Sequence, residues 1–285
     1  MSSATRVHAR PFRPRIERSD ILASASWFTK RDDSICMDLY NHRVLTTNQL
    51  SDLHFTDPRR ARDRLLKLYR HRVIDRFRPF RQLGSAPWHY VLDELGARVA
   101  AATLGIELKQ LRYRLERDLD LVNSPRLQHL VEVNDFFVSL ITRCRAKPGF
   151  ELDQWWSEQR CAAKLPTKVR SDGLGRLMGG ERPCTFVLEL DRGTERGDRL
   201  RRKLLSYGRL GRRRDAPDAI VFLFPSAKRE RSARQKLDID IRLRVATSHR
   251  GLYDRDPLAR VWLPIKGDRR ISFAELPAAK SEMGS

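Results

Sequence analysis

Between Phe186 and Leu210 the chain reads FVLELDRGTERGDRLRRKLLSYGRL, and this stretch limits the fold more than any other. It opens with strand alternation. Phe186, Leu188 and Leu190 share one face, and Val187, Glu189 and Asp191 share the other. Gly193 breaks the strand. Thr194 suits a helix N-cap, and Leu200, Leu204 and Tyr207 then recur at helical spacing. A strand ending in carboxylates therefore runs into a helix that carries Glu195 and Lys203. Both elements need apolar cover, which calls for layered α/β packing.

The acids have a chemistry of their own. A hard divalent cation takes oxygen ligands, and Mg²⁺ accepts one or two carboxylates with water and phosphate. A third acid, Asp172, stands upstream in Arg170-Ser171-Asp172-Gly173. The order of Asp, a strand with Glu-x-Asp and a helix with Lys resembles the PD-(D/E)XK nuclease-like core. On that resemblance Asp172, Glu189 and Asp191 are the expected ligands of Mg²⁺, with Mn²⁺ as a substitute. The same acids and Lys203 are then the expected catalytic residues of a metal-dependent DNA endonuclease. Arg196 and Arg199 would help hold a DNA phosphate. Two departures stand out. Ser171 occupies the place of the motif's Pro, and Asp191 the place of its Lys, with Lys203 as the candidate replacement. The same acids also suit plain ion pairs with arginines at a sheet edge.

Charge points to the partner. The 285 residues hold 57 Lys+Arg against 36 Asp+Glu, a net +21, and 46 of the cations are Arg. Arginine's planar fork fits phosphate and guanine edges, so double-stranded DNA is the expected partner. No apolar run reaches the length of a membrane span and no signal-type segment appears, so a cytoplasmic protein is expected. Cys36, Cys144, Cys161 and Cys184 are far apart, without metal-ligand spacing, and read as reduced core thiols. Neither a Walker A loop nor GxGxxG occurs, so no nucleotide cofactor is expected.

Taken in order, residues 1–19 read as a disordered basic arm with Arg6, Arg10, Arg13, Arg15 and Arg18. Residues 20–106 read as a winged helix-turn-helix domain. One helix carries Ile35, Met37, Leu39 and Tyr40 and ends near His42. Thr47 can cap a short helix, Asn48–His54. Asp57 and Pro58 then suit the N-cap and first position of a basic helix with Ala61, Leu65, Leu68 and Tyr69 inward. Arg59, Arg60, Arg62, Arg64 and Lys67 lie on its other faces and are expected to meet DNA. Ile74–Arg81 and Trp88–Leu92 read as a hairpin wing bearing Arg76, Arg78 and Arg81. Leu95–Leu104 closes the domain.

Residues 107–127 read as a charged linker, 128–270 as a restriction-endonuclease-like α/β domain, and 271–285 as a tail, disordered after Pro277. In the α/β domain, His129–Arg143 reads as a helix with Leu130, Val133, Phe137, Leu140 and Ile141 facing a sheet. Strands are expected at Trp155–Gln159 and Val169–Asp172, followed by a glycine-rich turn at Gly173, Gly175, Gly179 and Gly180. Further strands are expected at Thr185–Asp191, Ala219–Phe224 and Val261–Pro264. Ser226–Val245 reads as one long helix with Leu237, Ile241 and Val245 in a stripe.

Several stretches together resemble the replication-relaxation family of bacterial plasmids and other mobile elements. They are LYNHRVLTTNQLSDLHF (39–55), RRARDRLLKLYRHRVIDRFRP (59–79), GSAPWHYVLDELGARV (84–99), HLVEVNDFFVSL (129–140) and FVLELDRGTE (186–195) with Lys203 and Tyr207 beyond. The resemblance covers residues 30–225 and implies a winged helix joined to a nuclease-like domain, serving plasmid replication initiation or DNA relaxation. Two functions stay open: a metal-dependent nicking nuclease, or a non-catalytic regulator or replication accessory protein with a degenerate nuclease-like domain. A homodimer on paired half-sites is expected in either case.

Overall fold

The structure, a computed structural model, describes residues 16–24, 26–165, 170–180, 182–193, 197–208 and 216–276. Most of the basic arm, Val169, Thr194, Glu195, Arg196 and the tail from Pro277 lie outside the described residues. The chain forms two compact units, Met1–Val131 and Glu132–Ser285.

The first unit orders α1 (Arg18–Ser24), α2 (Lys30–His42), β1 (Leu45–Thr46), α3 (Thr47–His54), α4 (Pro58–Arg70), β2 (Ile74–Phe77), β3 (His89–Leu92), α5 (Glu94–Thr103) and α6 (Leu115–Leu119). Local chemistry sets its helix starts. Thr46, one residue before the expected cap, starts α3: its hydroxyl accepts from the Gln49 amide at 3.2 Å, and Gln49 Oε1 accepts from the Thr46 amide at 2.8 Å. Asp57 caps α4 by accepting from the Arg59 amide at 2.7 Å, with Pro58 in the first turn. The strands form one antiparallel sheet, β1-β3-β2. Ile35, Leu39, Leu50, Leu65, Leu68 and Tyr90 are buried between these layers. Tyr69 is only half-buried. The stretch 107–127 carries α6 and a 3-10 turn, Asp120–Asn123. Its Leu121 and Leu127 pack with Val44 and Val91, so its apolar side chains are core residues of this unit.

In the second unit the order is α7 (Arg126–Ala146, whose first turns belong to the first unit), β4 (Glu151–Ser157), α8 (Glu158–Lys164), β5 (Gly173–Met178), β6 (Cys184–Leu190), α9 (Gly197–Gly208), β7 (Ala219–Phe224), α10 (Ala227–Leu237), β8 (Arg244–His249), α11 (Arg250–Tyr253) and β9 (Leu263–Pro264). One mixed sheet runs β4-β5-β6-β7-β8-β9, with β6, β7 and β8 mutually parallel. Phe186, Leu188 and Leu190 pack with Phe136, Phe137 and Leu140 of α7 on one face. Val187 packs with Leu200, Leu204 and Tyr207 of α9 and with Leu237 of α10 on the other. All four cysteines are buried free thiols.

Four elements differ from expectation. The second strand begins at Gly173, so Arg170, Ser171 and Asp172 of the strand expected at Val169–Asp172 lie outside it. The first strand starts earlier, at Glu151, and Glu158 already opens a helix. The glycine-rich stretch is strand β5, and only Gly179 and Gly180, at φ +127° and +72°, turn the chain. A Cβ on Gly175 would lie 2.4 Å from Phe186 Cζ, so here glycine clears space for rings under a strand. The long helix ends at Leu237, and Val245 belongs to strand β8. Leu237 and Val245 do share one apolar cluster, but a helix supplies the first and a strand the second.

Candidate functional site

The antiparallel β5–β6 register pairs Gly173 with Leu188, so the next position sets Asp172 across from Glu189. Asp172 is anchored there. Its amide donates to Leu188 O at 3.2 Å, and its Oδ2 accepts from the Leu190 amide at 2.7 Å. Glu189 and Asp191 follow on the sheet face that α9 and α10 cover, and both are buried. The strand's alternation predicts that Glu189 and Asp191 share a face, and the β5–β6 register adds Asp172 beside Glu189.

Each has a partner. Glu189 forms an ion pair with Lys203 and accepts a hydrogen bond from the Tyr207 hydroxyl, both on α9. The Lys203 and Tyr207 spacing of one helical turn presents both to the same carboxylate. Burial pushes the Glu189 carboxyl up to about 8; Lys203 pulls it back, and Asp172 across the ladder adds to the rise. The Tyr207 hydroxyl is driven well above its ordinary range by burial and by Glu189. Asp191 Oδ2 receives Arg229 of α10, Nε at 2.7 Å and Nη2 at 2.6 Å, while Oδ1 accepts from the Gly193 amide at 2.8 Å. Arg199 lies on α9, one turn from Lys203.

These contacts decide how well the cluster suits a cation. Among the described residues no group of three His, Cys, Asp or Glu side chains is placed to hold a metal ion. Both oxygens of Glu189 and of Asp191, and Oδ2 of Asp172, are occupied by Lys203, Tyr207, Arg229 and backbone amides. As arranged, the residues fit an ion-pair lattice and do not fit a divalent metal.

The basic residues of the first unit divide into two groups. Arg59, Arg60 and Arg62 are exposed at the capped start of α4, opposite its buried Ala61, Leu65 and Leu68. Arg64 turns inward. It pairs with the fully buried Asp32, Nε donating to Oδ1 at 2.9 Å, and Nη2 also donates to Trp27 O at 2.9 Å. Lys67 lies over the Trp27 ring, 4.9 Å from its centroid. On the hairpin, Arg76 and Arg78 both lie over Trp88, at 4.1 and 4.2 Å, and Arg76 also lies 4.4 Å from the Tyr69 ring. Arg81 is exposed in the loop beyond.

The family model for replication-relaxation matches residues 37–222, about two thirds of the chain. The chain belongs to the replication-relaxation family. No curated protein and no solved structure matches it. The matched segment runs from α2 to β7, so it contains α4, the hairpin and the acid-bearing strand β6 of this family member. It stops short of Arg229, the partner of Asp191. Among the described residues no helix is long and apolar enough to cross a membrane.

Trp88, Trp27 and Arg229 are the contributors that sequence reasoning missed. Its place at the start of the expected return strand, opposite a strand with alternating arginines, was a usable signal for Trp88. Arg229 lies 38 residues from Asp191, and nothing in its local sequence sets it apart from other helix arginines.

Proposed function

We propose that this family member is a cytoplasmic duplex-DNA-binding protein that serves the replication or relaxation of a plasmid or other mobile element. The observation that carries the reading is α4. It exposes Arg59, Arg60 and Arg62 at its capped end while its other stripe is buried. The order α2, β1, α3, α4, β2, β3 and the β1-β3-β2 sheet support reading this unit as a winged helix, with α4 as recognition helix and loop 78–88 as the wing. The net +21 supplies the long-range attraction to phosphate. Anisotropy titrations with a labelled duplex test the reading. Replacing Arg60 and Arg62 by Ala weakens binding by about 1–3 kcal/mol for each base edge the arginines read. A double variant that binds every duplex like the wild type sinks it.

The second unit's strand order supports a PD-(D/E)XK-like core, and its ion pairs favour a non-catalytic role in assembly over strand cleavage. The purified chain then leaves supercoiled plasmid intact in Mg²⁺ or Mn²⁺. Nicking that disappears in Asp172→Ala would restore the nuclease reading. We also take the DNA-bound form to be a homodimer on two half-sites, which light scattering checks.

A further inference from the structure

The wing carries two side chains that phosphate binding does not explain. Phe80 is 79% exposed and Leu83 is 92% exposed, more than any other large hydrophobic residue among the described ones. They are not scattered. Both lie in the loop 78–88 between β2 and β3, with Arg78 on one side of Phe80 and Arg81 on the other. Single exposed apolar residues are ordinary, but two at one loop tip, one between arginines and the other two residues beyond Arg81, form a patch of mixed chemistry.

The loop is braced from below. Phe77 and His89 pair across its base, with rings stacked 5.4 Å apart. Pro79 and Pro87 stiffen its two arms. Ala86 is buried, His89 Nδ1 lies 3.0 Å from Pro87 O, and Trp88 stands under the Arg76 and Arg78 guanidiniums. Gly84 follows Leu83 at φ +69°, a conformation that bends the tip sharply. A braced hairpin therefore presents a ring and a branched aliphatic chain outward, with Arg78 and Arg81 on the two sides of the ring.

An apolar tip between cations fits a partner that offers anions a few ångströms from flat apolar faces. A base stack between two phosphate rows has this character, and apolar side chains inserted at a base step unstack and kink the duplex. An exposed base also stacks on an aromatic ring whatever its sequence. Resting on the reading of the first unit as a duplex-DNA binder, we propose that Phe80 and Leu83 are a wedge that enters and opens a base step. Arg78 and Arg81 hold the flanking phosphates. The wing thereby unstacks DNA at the site the recognition helix selects, a useful act for a protein that starts replication or relaxes DNA.

The test uses the full chain and two duplexes with 2-aminopurine at the centre, one fully paired and one with a two-base mismatch there. The wild type raises the fluorescence of the paired probe on binding and prefers the mismatched duplex by roughly ten-fold, because opening has already been done. Phe80→Ala and Leu83→Ala, changed at exposed positions, keep their fold and still bind the paired duplex. They lose the fluorescence rise and the preference. Phe80→Trp keeps both, and Arg81→Ala weakens both duplexes alike. Binding by the wild type with no fluorescence rise and no preference overturns the wedge and leaves duplex binding standing. A rise that persists in Phe80→Ala also overturns it. Absence of binding to either duplex overturns the DNA reading and the wedge with it. Retention on phosphatidylserine vesicles that Phe80→Ala abolishes, with DNA behaviour unchanged, assigns the tip to a membrane surface instead.

Discussion

Burial sets the behaviour of Glu189 more than Lys203 does, and its carboxyl rises from an ordinary 4.5 to about 8. A raised carboxyl keeps in the folded chain a proton that the unfolded chain has released. Across the window from 4.5 to about 8, this group's contribution to stability therefore falls as pH rises. Glu189→Gln removes that slope, and urea unfolding followed across the window reads it; a variant whose stability keeps the wild-type pH profile contradicts the assignment. Asp32 is the opposite case. Burial alone would raise it, but the Arg64 fork and the Thr29 hydroxyl and amide outweigh burial and hold it below its ordinary 3.8. Its contribution is present above that value and lost as pH falls through the depressed one. Arg64→Ala leaves a buried carboxylate short of its partner and costs about 3–5 kcal/mol in urea unfolding. Arg62→Ala, on the exposed face, changes stability by about 0.5 kcal/mol or less. Equal losses in the two variants would show that the inward pairing of Arg64 does not matter. In sequence the two arginines look alike, because what separates them is a buried aspartate 32 residues away. Alternation did reveal that Val187, Glu189 and Asp191 share a face. It could not reveal that Arg229 closes Asp191.

At the scale of elements, caps and periodicity were the most legible signals. Asp57-Pro58 starts α4 where its chemistry says, and the apolar run Ala219–Phe224 is a central strand, buried throughout. Glycine misled. Gly173 and Gly175 read as turn residues, yet they sit in β5 because the Phe137 and Phe186 rings occupy the space a Cβ would need. No local pattern encodes a ring delivered by another element. Gly175→Ala drives a methyl into Phe186, 2.4 Å away, and into Phe137, 3.0 Å away, and overpacking of this kind costs about 1–3 kcal/mol. Thermal melting checks it, and an unchanged Tm would mean that the rings move aside freely. The Leu237–Val245 spacing misled for a related reason. Eight residues make just over two helical turns, so a helix stripe and a helix followed by a strand can bury the same pair.

For the whole molecule, the excess of arginine and the replication-relaxation family are the grounds on which DNA is proposed as partner, while the acid cluster is closed by lysine and arginine. The resemblance made the order of elements legible. It could not disclose whether the acids stand open, because that depends on rotamers and on a partner beyond the matched segment. The proposed grip on DNA is tested most directly by measuring duplex affinity across a salt series. Each arginine that meets a phosphate contributes about 0.9 to the slope of log K against log salt. With each of them on a phosphate, Arg59, Arg60, Arg62, Arg78 and Arg81 predict a slope of about −4.5 per protomer. Replacing Arg59, Arg60 and Arg62 by Ala lowers its magnitude by about one for each phosphate that is no longer neutralised, with unfolding unchanged. A salt-independent affinity, or a triple variant with the wild-type slope, would contradict the assignment of α4 as the DNA-binding helix.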